Sequence, residues 1–270
     1  AVFRFLHERS NLIDESRIFT YLPWFPFLKS AFKDIKRPFH FVPHTLLLSI
    51  CTILYTCIHP FLPTYSDGLM TLLLAIGLAV IGIPHGAVDH KVVTQNGISP
   101  WNPLFLFGYL GCMTLMGSLW YLIPSIALVI FLLASAWHFG QTEFQSWNIE
   151  KPTLSFFWGL SLLLAIIGSH LNEVLPLLDA LGIHLSTNIQ ILGWPIAIFC
   201  LIVNAFIALL CRSGPCLSSI LLVLSGLWAP LPVSFGIYFI GQHSHTAWRQ
   251  LSQSYSTETD PLWKHAVPFT

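Results

Sequence analysis

Three short polar strings interrupt otherwise apolar stretches: Gly82-Ile83-Pro84-His85-Gly86-Ala87-Val88-Asp89-His90, Ser135-Ala136-Trp137-His138-Phe139-Gly140-Gln141 and Gly241-Gln242-His243-Ser244-His245. Each carries a histidine next to or near a glycine. Neutral imidazole binds a transition metal through a lone pair without bringing charge into a low-dielectric region. A lone histidine in an apolar helix is more often a hydrogen-bonded packing residue. Three of them at one depth, on helices that glycine allows to approach closely, read instead as a ligand set: His85, His138 and His243. Such a site suits iron, copper or zinc alike.

Around these three, Asp89 follows His85 by one helical turn and Glu143 follows His138 by five residues. Either acid can support a ligand by accepting an imidazole N–H, and either can equally be a solvated helix end. His90 and His245 are weaker candidates for a further ligand. His90 falls at the aqueous boundary, and His245 is two positions from His243, nearly opposite on a helix. Gln141 and Gln242 suit hydrogen bonding at the site or between helices. His7, His40, His44, His59, His184 and His265 read as interfacial or loop residues.

The elements that must hold these residues are membrane helices. Of 270 residues, 54% are hydrophobic and only 9% charged, against about 25% charged in soluble domains. Runs long enough for a hydrocarbon layer of about 30 Å fall at Phe41 to Leu62, Leu69 to Val88, Leu104 to Leu122, Ser125 to Gln145, Leu154 to Leu171, Ile189 to Cys211, Leu217 to Ala229 and Val233 to Arg249. The expected fold is therefore an all-α, polytopic helical bundle of about eight transmembrane helices. Pro230 and Pro232 break the seventh run from the eighth. The domain reading is a cytoplasmic N-terminal segment, 1–40, and one transmembrane domain, 41–270. The chain starts at Ala1 rather than Met, and Trp263 to Thr270 resembles the beginning of another helix, so it is expected to continue at both ends.

Charge distribution orients the bundle. Seven cations precede the first run (Arg4, Arg9, Arg17, Lys29, Lys33, Lys36, Arg37), and Lys91, Lys151, Arg212 and Arg249 follow the even-numbered runs. Under the positive-inside rule these segments are cytoplasmic, and the loops with Asp67, Glu173 and Asp179 lie outside. All three histidine-bearing helices then run inward, with His85, His138 and His243 about 5 to 10 Å inside the cytoplasmic boundary at 1.5 Å per residue. The expected location is the cell inner (plasma) membrane. Twelve Lys and Arg balance twelve Asp and Glu, so no nucleic-acid partner is implied. The six cysteines show no CxxC spacing and read as packing residues.

The strings GIPHGAVDH, SAWHFGQTE and APLPVSFGIYFIGQHS, in that order, resemble the Brp/Blh family of microbial β-carotene dioxygenases from about Leu69 to Leu251. The resemblance implies a membrane enzyme that uses Fe(2+) and O2 to cleave lipid-dissolved β-carotene at its central double bond, giving retinal, with a functional link to a retinal-binding rhodopsin. It implies that His85, His138 and His243 are the iron ligands. The family's last motif continues to a second histidine four residues on, where this chain has Ala247; the acid after HFG is commonly Asp, and here is Glu143. Under this reading Trp137, Phe139, Tyr238 and Phe239 are candidates for an apolar substrate tunnel. The alternative is a non-enzymatic polytopic protein, a transporter or a haem- or lipid-binding scaffold, using the same histidines for proton relay or haem ligation.

Overall fold

The computed structural model describes residues 42–82 and 102–255, all within the compact unit His40–Thr270. His85, Asp89 and His90 lie outside the described residues, as does the N-terminal segment. Among the described residues every regular element is helical. Proline opens most of them: Pro43 starts α1 (Pro43–Ile58), Pro63 α2 (Pro63–Gly77), Pro103 α3 (Pro103–Leu122), Pro124 α4 (Pro124–Ser146) and Pro152 α5 (Pro152–Ser169). At a helix start its missing N–H forfeits nothing and its φ is already helical. The chain continues through α6 (Leu171–Ala180), a 3₁₀ turn, α7 (Gly193–Cys211), α8 (Gly214–Gly226), α9 (Leu231–Gly236), a π-helical segment Ile237–Ser244 and α10 (His245–Tyr255).

Within the described residues the apolar runs expected from the sequence fall largely in helix, but the count of about eight spans is not reached. Among the described residues Pro63–Val80, Pro124–Ser146, Pro152–Ser169 and Asn188–Cys211 are long and apolar enough to cross a membrane. Pro43–Ile58, Leu106–Leu122 and Gly214–Gly226 are apolar but shorter. The 13 residues of α8 extend roughly 20 Å at 1.5 Å per residue, less than the hydrocarbon core. The final run is divided by its π segment. The surface agrees with a membrane location: Leu104, Phe107, Tyr121, Ile191, Phe199 and Trp228 are among many large apolar side chains left exposed, a pattern that water would penalise and lipid accepts.

The bundle is centred on α5, which packs most extensively against α7 and α4. Trp158, Leu162 and Ile166 of α5, with Phe144, Ile207, Ala208 and Cys216, form the buried core. Two polar ties cross it. Asn204 Nδ2 donates to Ser161 Oγ at 2.8 Å between α7 and α5, and Gln242 Nε2 donates to Ser219 Oγ at 2.6 Å between the π segment and α8. In hydrocarbon such bonds join helices because no water competes for them. At the α1–α2 corner, Asp67 accepts from Tyr55 at 2.9 Å and lies 3.0 Å from His59.

The sequence reading left residues 172–188 as a loop, yet α6 forms there. Leu171, Val174, Leu175 and Leu178, at i, i+3, i+4 and i+7, turn toward the protein while Asn172, Glu173, Leu177 and Asp179 are exposed, the pattern of an amphipathic helix on a surface.

The α4–α5 crossing is closer than side chains allow. A Cβ on Gly140 would collide with the backbone carbonyl of Ser155, and one on Gly159 with the carbonyl of Ala136. Backbone cannot move aside as a side-chain tip does. Gly140→Ala and Gly159→Ala are each expected to destabilise by about 1–3 kcal/mol, read as earlier thermal unfolding in detergent. Gly117→Ala, where nothing lies within 4 Å, should leave unfolding unchanged or slightly later.

Candidate metal and substrate site

Helix α4 presents His138 and Phe139 from the second polar string, and the π segment presents His243 from the third. The π geometry adds a residue to the turn and is common at functional sites. Here it accompanies the burial of three consecutive residues, Gln242, His243 and Ser244. A second π turn, Leu78–Gly82, leads directly into the first polar string in sequence and packs against the π segment that holds His243.

The rings of His138 and His243 meet edge-on with centroids 5.0 Å apart and planes at 77°. Two imidazoles on one ion, at a metal–nitrogen distance of about 2.1 Å, place their centroids roughly 4.5 to 5.5 Å apart. The centroid separation of the pair falls in that range. His243 is fully buried, whereas His138 is exposed on one side. No group of three His, Cys, Asp or Glu able to hold a metal occurs among the described residues. His85 falls outside them. Ala247, buried one turn after His243, offers only a methyl group.

Aromatic rings enclose this pair. Phe139 lies 4.3 Å from His243, and Phe239 stacks on His243 at 5.9 Å. Tyr238 meets Phe139 edge-on at 5.8 Å. Two of the four aromatic candidates, Phe139 and Phe239, thus lie against His243, and a third, Tyr238, packs on Phe139. Trp137 instead turns to Phe156 of α5 at 6.4 Å and is exposed, since adjacent helical residues point about 100° apart. Phe235 stacks on Phe239 at 5.5 Å with planes 9° apart. Phe235, Phe239 and His243 thereby form a ladder of rings at four-residue spacing.

Phe235 and Phe239 of that ladder line one wall of a cavity of about 670 Å³, within the roughly 300–1,000 Å³ of small-molecule sites. Phe131, Leu132, Ser135 and Phe139 of α4 face Leu231, Pro232, Phe235 and Phe239, with Leu163, Ile166 and Ile167 of α5 and Val174 of α6 completing it. Apart from the Ser135 hydroxyl its side chains are hydrocarbon. The sequence reading named Phe139 and Phe239 but not Phe131, Leu132, Ser135 or Phe235. Their signal is same-face spacing: Ser135, Leu132 and Phe131 precede Phe139 by four, seven and eight residues, and Phe235 precedes Phe239 by four.

On the other side of the pair, Glu143 is completely buried rather than a solvated helix end. Its Oε2 accepts from Thr246 Oγ1 at 3.4 Å, joining α4 to α10, and Gln250 Nε2 adds a 2.9 Å bond to the Thr142 carbonyl. His245 faces away from His243. It is exposed and packs on His44 of α1, with ring centroids 5.0 Å apart.

Paired imidazoles beside an apolar cavity, in a bundle of helices with many exposed apolar side chains, mark a membrane-type helical protein with a polar island next to a hydrocarbon-lined space. The family model for beta-carotene 15,15'-dioxygenase matches residues 76–270, and the chain belongs to this family. Membership supports carotenoid dioxygenase activity in general. No curated protein and no solved structure matches the chain. Helix α1, with His44, precedes the matched region.

Glu143→Ala would leave Thr246 without its acceptor and open a void between α4 and α10. It is expected to cost roughly 2–4 kcal/mol, measured as lost thermal stability in detergent. Glu143→Gln, which keeps both shape and an acceptor oxygen, should restore most of that loss.

Proposed function

We propose that the protein cleaves β-carotene, or a closely related carotenoid, at its central double bond with O2, giving retinal, and that His85, His138 and His243 hold the Fe(2+) required. The observation that carries this reading is the His138–His243 pair, with ring centroids 5.0 Å apart, packed against Phe139 and Phe239, two rings that also line the 670 Å³ apolar cavity. The reaction balances without a reductant: the carbon–carbon double bond breaks, each of its carbons takes one oxygen atom of O2, and two aldehydes form. Iron, when bound, would supply the activation of O2 that spin and charge deny to a hydrocarbon site.

The chain's own residues supply placement. The Phe235–Phe239 ladder offers flat faces to a planar polyene and directs it toward His243. Phe139 and Tyr238 fill the space beside the imidazoles and keep water from the reacting carbons. Asp89 and Glu143 are assigned supporting roles, with Glu143 fixing α4 against α10 through Thr246 and so fixing the separation of the two ligand-bearing helices. Ala247 leaves the position of a further histidine open; His90 is the remaining candidate near the first string, and His245 is occupied with His44.

The lipid-dissolved substrate explains a membrane enzyme, since carotenoid enters laterally between helices without crossing water. We place the protein in the cell inner membrane with its N-terminus cytoplasmic, on the strength of the seven cations before the first span. A retinal-binding rhodopsin is the natural consumer of the product.

Expression in β-carotene-accumulating cells is expected to bleach their colour and yield retinal. His85→Ala, His138→Ala and His243→Ala should each reduce this at least 100-fold. Purified protein should hold about one iron per chain; a haem absorption band with intact carotene would overturn the assignment. Ala247→His is expected to slow loss of iron to a chelator, because it adds an imidazole one turn from His243.

A further inference from the structure

The 670 Å³ cavity runs between α4, α5, α6 and the final run, and the elements at its end away from His243 are fixed by polar bonds. Helix α6 brings Val174 to that end, which it lines together with Leu231 and Pro232 at the start of α9 and Ile166 and Ile167 of α5. Two contacts hold α6 there. Glu173 Oε2 accepts the Leu231 N–H at 2.9 Å, satisfying a donor at the first turn of α9. The buried ring of His170 bridges α5 to the α8–α9 connection, with its nitrogens 2.8 Å from the Ile166 carbonyl and 2.7 Å from the Ala229 carbonyl. The opposite end of the cavity is Phe139 and Phe239, against His243.

We infer that Val174 is the end stop that sets which double bond of the carotenoid lies at the histidines, the cavity accepting one ring-terminated C20 arm. This rests on the carotenoid-cleaving reading above. From Pro232 to His243 the chain advances roughly 15 Å at helical rise, the length of such an arm measured from the central double bond. A wall that is hydrocarbon except for the Ser135 hydroxyl, around an aromatic ladder, suits a conjugated chain ending in an apolar ring better than a polar terminus. Symmetric cleavage then follows from cavity depth: an arm seated against Val174 can present only the central bond. An end wall carried by a surface helix, rather than by a spanning one, also lets depth vary without rebuilding the bundle.

The test uses the full chain, purified in detergent and loaded with iron, with products resolved by mass. Val174→Ala deepens the cavity and is expected to give unequal aldehyde pairs alongside retinal. Val174→Trp shortens it, and should lower cleavage of β-carotene more than tenfold while sparing an apocarotenal whose second arm is shorter than C20. Leu221→Trp, in the separate apolar groove between α1 and α8, should change neither. Unchanged products and unchanged substrate preference in both Val174 variants overturn the end stop. Retention of retinal during size-exclusion chromatography decides the matter independently of turnover. Val174→Trp is expected to lose retinal at least tenfold faster than the unsubstituted protein and Leu221→Trp. Equal retention, or no retention by the unsubstituted protein, contradicts the inference. Absence of any cleavage by protein that retains retinal refutes the catalytic reading and leaves the end stop standing.

Discussion

Everything in this structure depends on keeping two imidazoles together, one of them fully buried, where two helices meet. His243 is fully buried on the final helix and meets His138 of α4 at 5.0 Å. Neither helix can hold that separation alone. On one side of the pair, Glu143 and Thr246 tie α4 to α10, and on the other, rings from both helices interlock. Behind α4, the glycine contact with α5 leaves no room for α4 to drift. A shift of one methyl group at that crossing would move His138 as well, because a packed helix transmits displacement along its length.

The same arrangement separates two environments around the pair. Toward α6, Ser135 apart, there is hydrocarbon and stacked rings; toward α10 lie Glu143 and Thr246. A carotenoid arm belongs on the first side and polar support for the ligands on the second. Placing both around one pair of rings lets the bundle handle an apolar substrate without burying polar groups along its path.

Much of this was legible in the residue order. Apolar runs bounded by proline marked the helices, because length and hydropathy are local properties. The convergence of His138 and His243 was legible from helix direction and depth. What escaped was set by tertiary contact. The π segments change hydrogen-bond register without changing composition. Helix α6 was overlooked because its ten residues are too short for a span, although Leu171, Val174, Leu175 and Leu178 carry its periodicity. The span count failed because α8 and the final run are apolar without being long, unbroken helices. Glu143 reads as a helix-end acid until Thr246 is seen opposite it, and Trp137 shares a polar string with His138 yet points elsewhere. His245 found His44, a residue far off in sequence with no motif around it.

The most direct measurement is the stoichiometry of a single reaction: purified, iron-loaded protein, β-carotene in detergent, and O2 uptake followed together with the aldehydes formed. The account predicts two retinals for each carotenoid and each O2 consumed, with no turnover when His243 is replaced by alanine in a protein that remains folded. Intact carotenoid and no O2 uptake, in folded protein that carries its iron, would contradict it.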